Sequence, residues 1–182
     1  MPDNENPHGS FAPIRKGSRA RWLVCGEDYF RAAKEAIDMA QEEIFITGWW
    51  FVPTIELIRK ENQRTTVEET LTDAVKRGVK IFILVFNSYL KKSGNYIECE
   101  NLVKRVKSAK GSSNGEIHFL AYPDILAATE EGLDGILWSE HEKMVIVDQS
   151  VALQGGIDLC PDRYEEFPKF HIFNEFDVRK RY

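Results

Sequence analysis

The 182-residue sequence predicts an α/β domain in which a mixed, partly parallel sheet is flanked by helices. In the first part of the chain, apolar β-branched segments alternate with segments of helical periodicity, which is the order that builds parallel strands. The last part is typical of consecutive strands joined by a short turn, which adds antiparallel pairs. Sheets of this kind carry their chemistry at the carboxyl ends of the parallel strands.

The first helix and the first strand are predicted soon after the amino-terminal arm. The segment from Tyr29 to Gln41 predicts a helix with Asp28 as its N-cap. Its apolar positions recur at helical spacing and predict one buried stripe: Phe30, Ala33, Ile37 and Ala40. The next run, EEIFITGWWF, is β-branched and aromatic, so it predicts a strand that ends at Gly48.

Two further helices and two further strands follow in alternation. The segment TTVEETLTDAVKRGVK begins with a capping-box pattern, Thr66 with Glu69, and stops at Gly78, so it predicts a second helix. That helix leads into Lys80–Phe86, a continuous apolar run typical of a strand covered on both faces. A third helix is predicted in YIECENLVKRVKSA and a further strand in EIHFLAY.

Composition is that of a globular protein, with 43% hydrophobic and 29% charged residues and a net charge of -5. We expect a flexible arm over residues 1–19 and a single domain over residues 20–182. No segment has the apolar length of a signal peptide or a spanning helix. An intracellular setting is indicated by three scattered cysteines without metal-type spacing: Cys25, Cys99 and Cys160.

A group of chemically active residues lies in HEKMVIVDQSVALQGGID, residues 141–158. Side chains two apart on an extended strand share a face, so we expect His141 and Lys143 to point one way and Met144 and Ile146 to point into the core. In a chain of this composition, a histidine with Lys at +2 and Asp at +7 is expected by chance roughly 0.016 times. A lone core histidine therefore explains the pattern poorly.

This grouping suits phosphodiester chemistry. A neutral histidine is a nucleophile toward phosphorus, and a neighbouring lysine stabilises charge on the non-bridging oxygens. The route through a phosphohistidine also needs a second, protonated histidine as the acid for the leaving oxygen. Asp148 has the opposite parity and begins a turn, so we expect it to bond nearby backbone N–H groups. Gly155 and Gly156 allow a close approach by a ligand or by a neighbouring strand.

The pattern His-x-Lys-x4-Asp followed by Gly-Gly-x-Asp resembles the signature of the phospholipase D superfamily. EEIFITGWWFVPTIEL and GVKIFILVF also resemble the first catalytic half of eukaryotic-type phospholipase D enzymes. The resemblance implies a catalytic motif in which His141 is the nucleophile, Lys143 binds phosphate and Asp148 has a structural role. It further implies substrate or phosphate binding at the positions that close the motif: Gly155, Gly156 and Asp158.

The same resemblance suggests further site residues. In NEFDV, Asp177 matches the place where the family has a carboxylate that orients the histidine, and the alternative is a surface acid. Trp49, Trp50 and Trp138 lie at predicted strand ends, where they contact a lipid or a choline-like head group by cation–π attraction or pack in the core.

The family's enzymes use two such motifs, but this chain has one. None of its other histidines has a lysine two residues further on: His8, His118 and His171. Three accounts remain open. The chain is the first half of a two-motif enzyme, a single-motif homodimer such as a nuclease or cardiolipin-type enzyme, or an inactive phosphoester-binding remnant. Acidic residues around the motif disfavour a nucleic-acid substrate.

The sequence therefore predicts a phospholipase D type phosphodiesterase that needs no metal or other cofactor. The expected reaction converts glycerophospholipids such as phosphatidylcholine to phosphatidic acid and choline, by hydrolysis or transphosphatidylation. The expected partners are a phospholipid at a membrane surface and a second motif from a partner half or a second subunit. The expected location is cytoplasmic and peripherally membrane-associated.

Overall fold

The computed structural model describes residues 15–60, 62–87, 94–122 and 140–164. These residues form three helices: α1 (Gly26–Met39), α2 (Val67–Lys76) and α3 (Gly94–Ala109). They form seven strands: β1 (Glu43–Gly48), β2 (Glu56–Lys60), β3 (Gln63–Thr66), β4 (Lys80–Phe86), β5 (Glu116–Tyr122), β6 (Met144–Val147) and β7 (Val151–Gln154). No helix among them combines the length and the apolar character that crossing a bilayer requires.

The main sheet has five strands in the order β5-β4-β1-β6-β7, and β1 is its centre. Strand β1 pairs in parallel with β4 and antiparallel with β6. Strand β5 extends the parallel side, and β7 extends the antiparallel side as the second strand of a hairpin. The predicted fold class, a mixed and partly parallel sheet flanked by helices, is confirmed.

Helix α1 begins earlier than the sequence predicts. Cys25 is at the N-cap position, and the helix runs from Gly26 to Met39, so the prediction of Asp28 as N-cap is wrong. The backbone at Gly26 packs against the Arg163 carbonyl, which leaves no room for a Cβ and fixes where the chain enters the helix. Asp28 lies instead in the first turn, where its carboxylate accepts a 2.6 Å hydrogen bond from Arg31. Its negative charge also interacts favourably with the positive end of the helix dipole.

Helix α2 begins as its sequence predicts. The Thr66 hydroxyl accepts a bond from the Glu69 peptide N–H, and the Glu69 carboxylate accepts a 2.8 Å bond from the Thr66 N–H. The Thr66 N–H and the Thr66 hydroxyl, which donates to the same carboxylate over 2.9 Å, hold the pKa of Glu69 below its ordinary value. Gly78 then adopts a φ of 100°, which ends the helix and turns the chain into β4.

The β2–β3 hairpin was not predicted from the sequence. Its residues, ELIRKENQRTT, lack both a glycine turn and a regular apolar alternation. The two strands form a separate antiparallel sheet, and Leu57 anchors it because its side chain is fully buried. A strand pair held by burial against α1 has little signal in its own sequence.

The two faces of the main sheet differ. The helix-covered face is fully buried and includes Ile44, Ile81 and Val145. The prediction that Met144 and Ile146 point into the core is wrong, because alternation fixes that neighbours face opposite ways without saying which way is inward.

Strand β4 was expected to be covered on both faces, but its side chains alternate between buried and partly exposed. The partly exposed side of the sheet, here called the open face, is defined by Phe45, Phe82, Leu84, His118 and Leu120. Ring centroids of Phe45 and Phe82 are 5.2 Å apart, and those of Phe82 and His118 are 5.6 Å apart, both stacked.

Gly115 is the position where an added methyl group is expected to damage the fold. A Cβ there overlaps the Val75 carbonyl at the end of α2, whereas a Cβ at Gly94 meets nothing within 4 Å among the described residues. We expect Gly115→Ala to lower the free energy of unfolding by about 2 kcal/mol. Urea denaturation measures it, with Gly94→Ala as the matched control; equal midpoints for the two variants would contradict this packing.

Candidate active site

His141 and Lys143 lie at the carboxyl end of β1. Residues 141–143 lead directly into β6, whose first residue, Met144, pairs with Thr47 near the end of β1. The chain that leaves β7, Gly155 to Asp158, returns to the same edge, where Val52 N–H donates to the Leu159 carbonyl over 2.9 Å. Three segments of the chain thus meet at the carboxyl end of β1, which is the end of the parallel strands where α/β proteins place their chemistry.

Lys143 has a buried ammonium group, although its residue type is usually exposed. The Lys143 side chain is 7% exposed, and its Nζ donates to the His141 carbonyl over 2.9 Å. The same Nζ lies 3.4 Å from Oδ2 of Asp158. An ammonium has three N–H donors, so within the described part of the chain one donor remains for a ligand.

Asp158 connects the lysine to the loop after β1. Its side chain is 4% exposed. Oδ1 accepts bonds from the peptide N–H of Trp49 over 2.8 Å and of Trp50 over 3.3 Å, while Oδ2 faces Lys143. A Cβ on Gly48 would lie 3.2 Å from Oδ1, so the absence of a side chain there leaves room for the carboxylate.

His141 is exposed and lies beside an aromatic side chain. Its ring centroid is 6.2 Å from that of Trp49 at an interplanar angle of 59°. Trp49 in turn stacks on Phe86 at the end of β4, with centroids 5.8 Å apart. Trp49 and Trp50 are 40% and 37% exposed, so both present aromatic surface at the edge where His141 lies.

The glycine pair leaves space beside the lysine. The Gly155 N–H donates to the Lys143 carbonyl over 3.3 Å, which places the pair next to the motif. A Cβ built on Gly155 or Gly156 meets no atom within 4 Å in the described ranges, so neither glycine is needed there for packing against a neighbouring strand.

Asp148 lies at the other end of β1, away from the lysine. Its carboxylate accepts three backbone N–H bonds of 2.9 Å, from Gln41, Glu42 and Glu43. The carboxylate does bond backbone N–H groups as expected, but in the connection between α1 and β1, 105 to 107 residues away, and not in its own turn. Asp148 therefore fixes the beginning of β1 and lies at the opposite end of this strand from Lys143.

The bonds to Asp148 outweigh its desolvation. Partial burial raises the pKa of its carboxyl, and the peptide N–H groups of Glu43, Gln41 and Glu42 more than compensate, so the pKa lies below its ordinary value. The folded state therefore favours the ionised form of Asp148.

Asn95, the second residue of α3, is a site residue that sequence reasoning missed. Its Nδ2 donates to the carbonyls of Trp49 over 2.5 Å and Phe86 over 3.2 Å, and its Oδ1 accepts from the Phe51 N–H over 3.2 Å. One buried amide thus joins residues 49–51 after β1, here called the tryptophan loop, to the end of β4. Nothing in the local sequence signals this role, because all three partners come from other elements.

Two buried protic side chains lie near Asp158. Burial, reinforced by the Asp158 charge, raises the pKa of Tyr29, so its hydroxyl stays protonated. Cys160, two residues beyond Asp158, is a free buried cysteine, and burial raises the pKa of its thiol to about 11. Trp138 and Asp177, the two other predicted site residues, lie outside the described residues.

A family model described as Phospholipase D matches residues 36–181 of this chain. Phospholipase D zeta 2 of Arabidopsis thaliana is 40% identical over 174 residues, and Phospholipase D1 of Homo sapiens is 35% identical over 160 residues. These matches cover 88% and 87% of this chain but 15% and 14% of the relatives, so the chain spans about a seventh of their length. Phospholipase D1 of Saccharomyces cerevisiae is 34% identical over 164 residues, which are 89% of this chain and 9% of that protein.

Two solved structures are also similar to the chain. Nuc of Salmonella typhimurium, described as a phospholipase D family member, has a TM-score of 0.45 at 16% identity, with 73% of this chain and 66% of Nuc covered. NucT of Helicobacter pylori has a TM-score of 0.44 at 12% identity, with coverage of 77% and 72%. Likenesses at this TM-score do not by themselves establish a common function.

Removing the Asp148 carboxylate is expected to destabilise the fold. Asp148→Ala leaves three peptide N–H groups without their charged acceptor, so we expect a loss of about 3 kcal/mol at neutral pH. Because the folded pKa is depressed, the contribution is present above the ordinary value of 3.8 and disappears as the pH falls through the folded pKa. Thermal unfolding from neutral pH to about pH 3 measures this. Asp73→Ala, at an exposed site in α2, is the control; a gap between Asp148→Ala and wild type that persists unchanged in acid would exclude the carboxylate as the cause.

Asn95 is expected to matter more than another asparagine on the same helix. Asn95→Ala leaves the Trp49 and Phe86 carbonyls and the Phe51 N–H without this partner. We expect a loss of about 2–4 kcal/mol in the free energy of unfolding, together with a change in native tryptophan fluorescence. Asn101→Ala, six residues further along α3, is the control. If the two variants unfolded at the same denaturant concentration, the bridging role of Asn95 would be refuted.

Proposed function

The chain belongs to the phospholipase D family, and from this premise we propose that it supplies one half of a phosphodiesterase site for glycerophospholipids such as phosphatidylcholine. The products are phosphatidic acid and choline, or a phosphatidyl-alcohol when an alcohol replaces water. The relatives named above are called phospholipase D, which supports this substrate class.

The observation that carries the proposal is the pairing of an exposed imidazole with a buried ammonium. His141 is accessible for attack, and Lys143 is fixed by two contacts with its remaining donor available. Gly155, whose N–H donates to the Lys143 carbonyl, and Gly156 leave open space beside the lysine. A nucleophile next to a preorganised cation is the arrangement that phosphoryl transfer requires.

In the proposed mechanism, a neutral imidazole nitrogen of His141 attacks phosphorus. A nitrogen–phosphorus bond forms, and the bond from phosphorus to the head-group oxygen breaks. A protonated histidine from outside this chain gives its proton to the leaving alcohol. Water or a primary alcohol, deprotonated by that same histidine, then attacks the phosphohistidine and frees His141. Lys143 balances charge on the non-bridging oxygens during both steps.

A partner is required because the second histidine has to come from another motif. The partner is either the second half of a longer enzyme or another copy of this chain. The open face supports an additional layer, because its aromatic and aliphatic rows are only partly covered by the described residues. We further propose that residues 20–182 are the single half domain that receives this partner; most of the arm predicted over residues 1–19 lies outside the described residues.

A lipid suits the site better than a nucleic acid. Trp49 and Trp50 expose aromatic surface beside His141, where a choline-like cation is attracted to ring faces. The same rings suit the interface of a membrane. The motif is flanked by acidic residues, including Glu140, Glu142 and Asp162, which repel a polyanionic backbone. We place the protein in the cytoplasm at the membrane surface.

A transphosphatidylation assay tests this function. The full chain is incubated with phosphatidylcholine vesicles and a primary alcohol over a range of protein concentrations. We expect phosphatidyl-alcohol that rises more than linearly with concentration if two copies form the site. His141→Ala and Lys143→Ala are each expected to lower the rate by at least about a thousandfold, whereas Lys107→Ala, an exposed lysine in α3, leaves it unchanged.

The negative outcomes of this assay also differ in meaning. If the chain alone gives no product but a second-motif half added in trans restores it, the chain is one half of a larger enzyme. Failure in both formats would mean a remnant without activity. Full activity of His141→Ala would show that another group is the nucleophile.

A further inference from the structure

Asp158 occupies a position that the family resemblance assigns to phosphate binding, but its geometry does not suit that role. An ionised carboxylate has no proton to donate to a phosphate oxygen. Both of its oxygens are already engaged, Oδ1 by the N–H groups of Trp49 and Trp50 and Oδ2 toward Lys143. A phosphate that binds Lys143 therefore meets a fixed negative charge behind the lysine.

The loop contacts do not require that charge. The N–H groups of Trp49 and Trp50 both meet Oδ1, and the carbonyl oxygen of an asparagine would accept the same bonds. The second oxygen is the one that differs, because it faces the Lys143 ammonium at 3.4 Å. The negative charge of Asp158 thus acts on the lysine and on whatever the lysine binds.

The carboxylate cannot move away from an incoming anion without breaking these contacts. Its side chain is 4% exposed, and that of Lys143 is 7% exposed, so water screens the pair weakly. Coulomb energy is proportional to the product of the charges, so Asp158 opposes a doubly charged ligand twice as strongly as a singly charged one. Lys143 attracts both, but the pair together has no net charge.

We propose that Asp158 sets the charge preference of this phosphate site. By offsetting part of the Lys143 charge, it lowers the affinity of the site for a doubly charged phosphate monoester relative to a singly charged phosphodiester. The inference deepens the proposed function, since the substrate phosphatidylcholine contains a diester phosphate and the product phosphatidic acid is a monoester with a charge between about -1.5 and -2 near neutral pH. Asp158 then promotes release of the product after each turnover.

Anion binding to the full 182-residue chain tests the proposal without requiring catalysis. Dimethyl phosphate represents the diester and inorganic phosphate the dianion, each titrated at about pH 8 while NMR follows the Trp49 and Trp50 amides. In Asp158→Asn we expect the affinity for phosphate relative to dimethyl phosphate to increase about tenfold over wild type. Asp73→Asn, which makes the same change of net charge on exposed α2, is expected to leave the ratio unchanged.

The pH dependence separates a charge effect from a structural one. At about pH 5 inorganic phosphate is mostly a monoanion, so the increase in the ratio is expected to shrink to about twofold or less. A variant that had merely loosened the Trp49–Trp50 loop would change both affinities at both pH values. Thermal unfolding and the dispersion of the amide signals verify that Asp158→Asn is folded.

The inference would be overturned if the ratio of the two affinities were the same in Asp158→Asn and wild type. It would also be overturned if neither protein bound either anion. An equal increase in Asp73→Asn would also overturn it. The outcome is separable from that of the proposed function: a shifted ratio without transphosphatidylation would reject the enzyme and leave the charge preference standing. Transphosphatidylation without a shifted ratio would reject the charge preference and leave the proposed enzyme activity standing.

Discussion

Strand β1 is held at both ends by carboxylates from one stretch of chain, and the site depends on this. Asp148 accepts the peptide N–H groups at the beginning of β1, and Asp158 accepts those just after its end. Strand β6 pairs with β1, the turn of the β6–β7 hairpin carries Asp148, and the segment after β7 carries Asp158. The hairpin register thereby fixes where Lys143 meets the tryptophan loop, so a slip along β1 would break both sets of bonds at once.

This arrangement makes the chemistry of the site inseparable from the packing of the sheet. Lys143 lies on the same side of its segment as Val145 and Val147, which are buried under the helices. Its charge is tolerated there because Asp158 and the His141 carbonyl compensate it. His141 precedes Lys143 by two residues and lies beyond the sheet, so its side chain is not buried and stays accessible. The motif thus places a fixed cation and an exposed imidazole at alternate positions of one extended segment.

Elements with a strong local signal were predictable, and long-range contacts were not. The capping box of α2 and the existence of strand β4 depend on neighbouring residues, and both agree with the structure, although one face of β4 is less covered than predicted. The β2–β3 hairpin is polar and held by burial of Leu57, so its own sequence is uninformative.

In the site, the motif was visible from spacing alone, but the partners that hold it were not. Asp148 accepts hydrogen bonds from residues that are 105 to 107 positions away in the sequence, and Asn95 donates to the carbonyl of Trp49, which is 46 positions away. Parity likewise predicted that Met144 and its neighbours alternate but not which side is covered, because that depends on where the helices pack. The charge balance between Asp158 and Lys143 was equally unpredictable, because it depends on the 3.4 Å distance between their charged atoms in the fold and not on their separation in the sequence.

The buried thiols have a practical consequence for following motion in this protein. Burial raises the pKa of Cys160 to about 11 and that of Cys99 to about 12, and alkylating reagents attack the thiolate. Each cysteine therefore reacts only while its surroundings open. Cys160 adjoins the segment that carries Asp158, and Cys99 lies in α3 one turn beyond Asn95. Cys160 and Cys99 are thus natural reporters whose alkylation rates distinguish transient exposure of the segment around Asp158 from unravelling of the helix that carries Asn95.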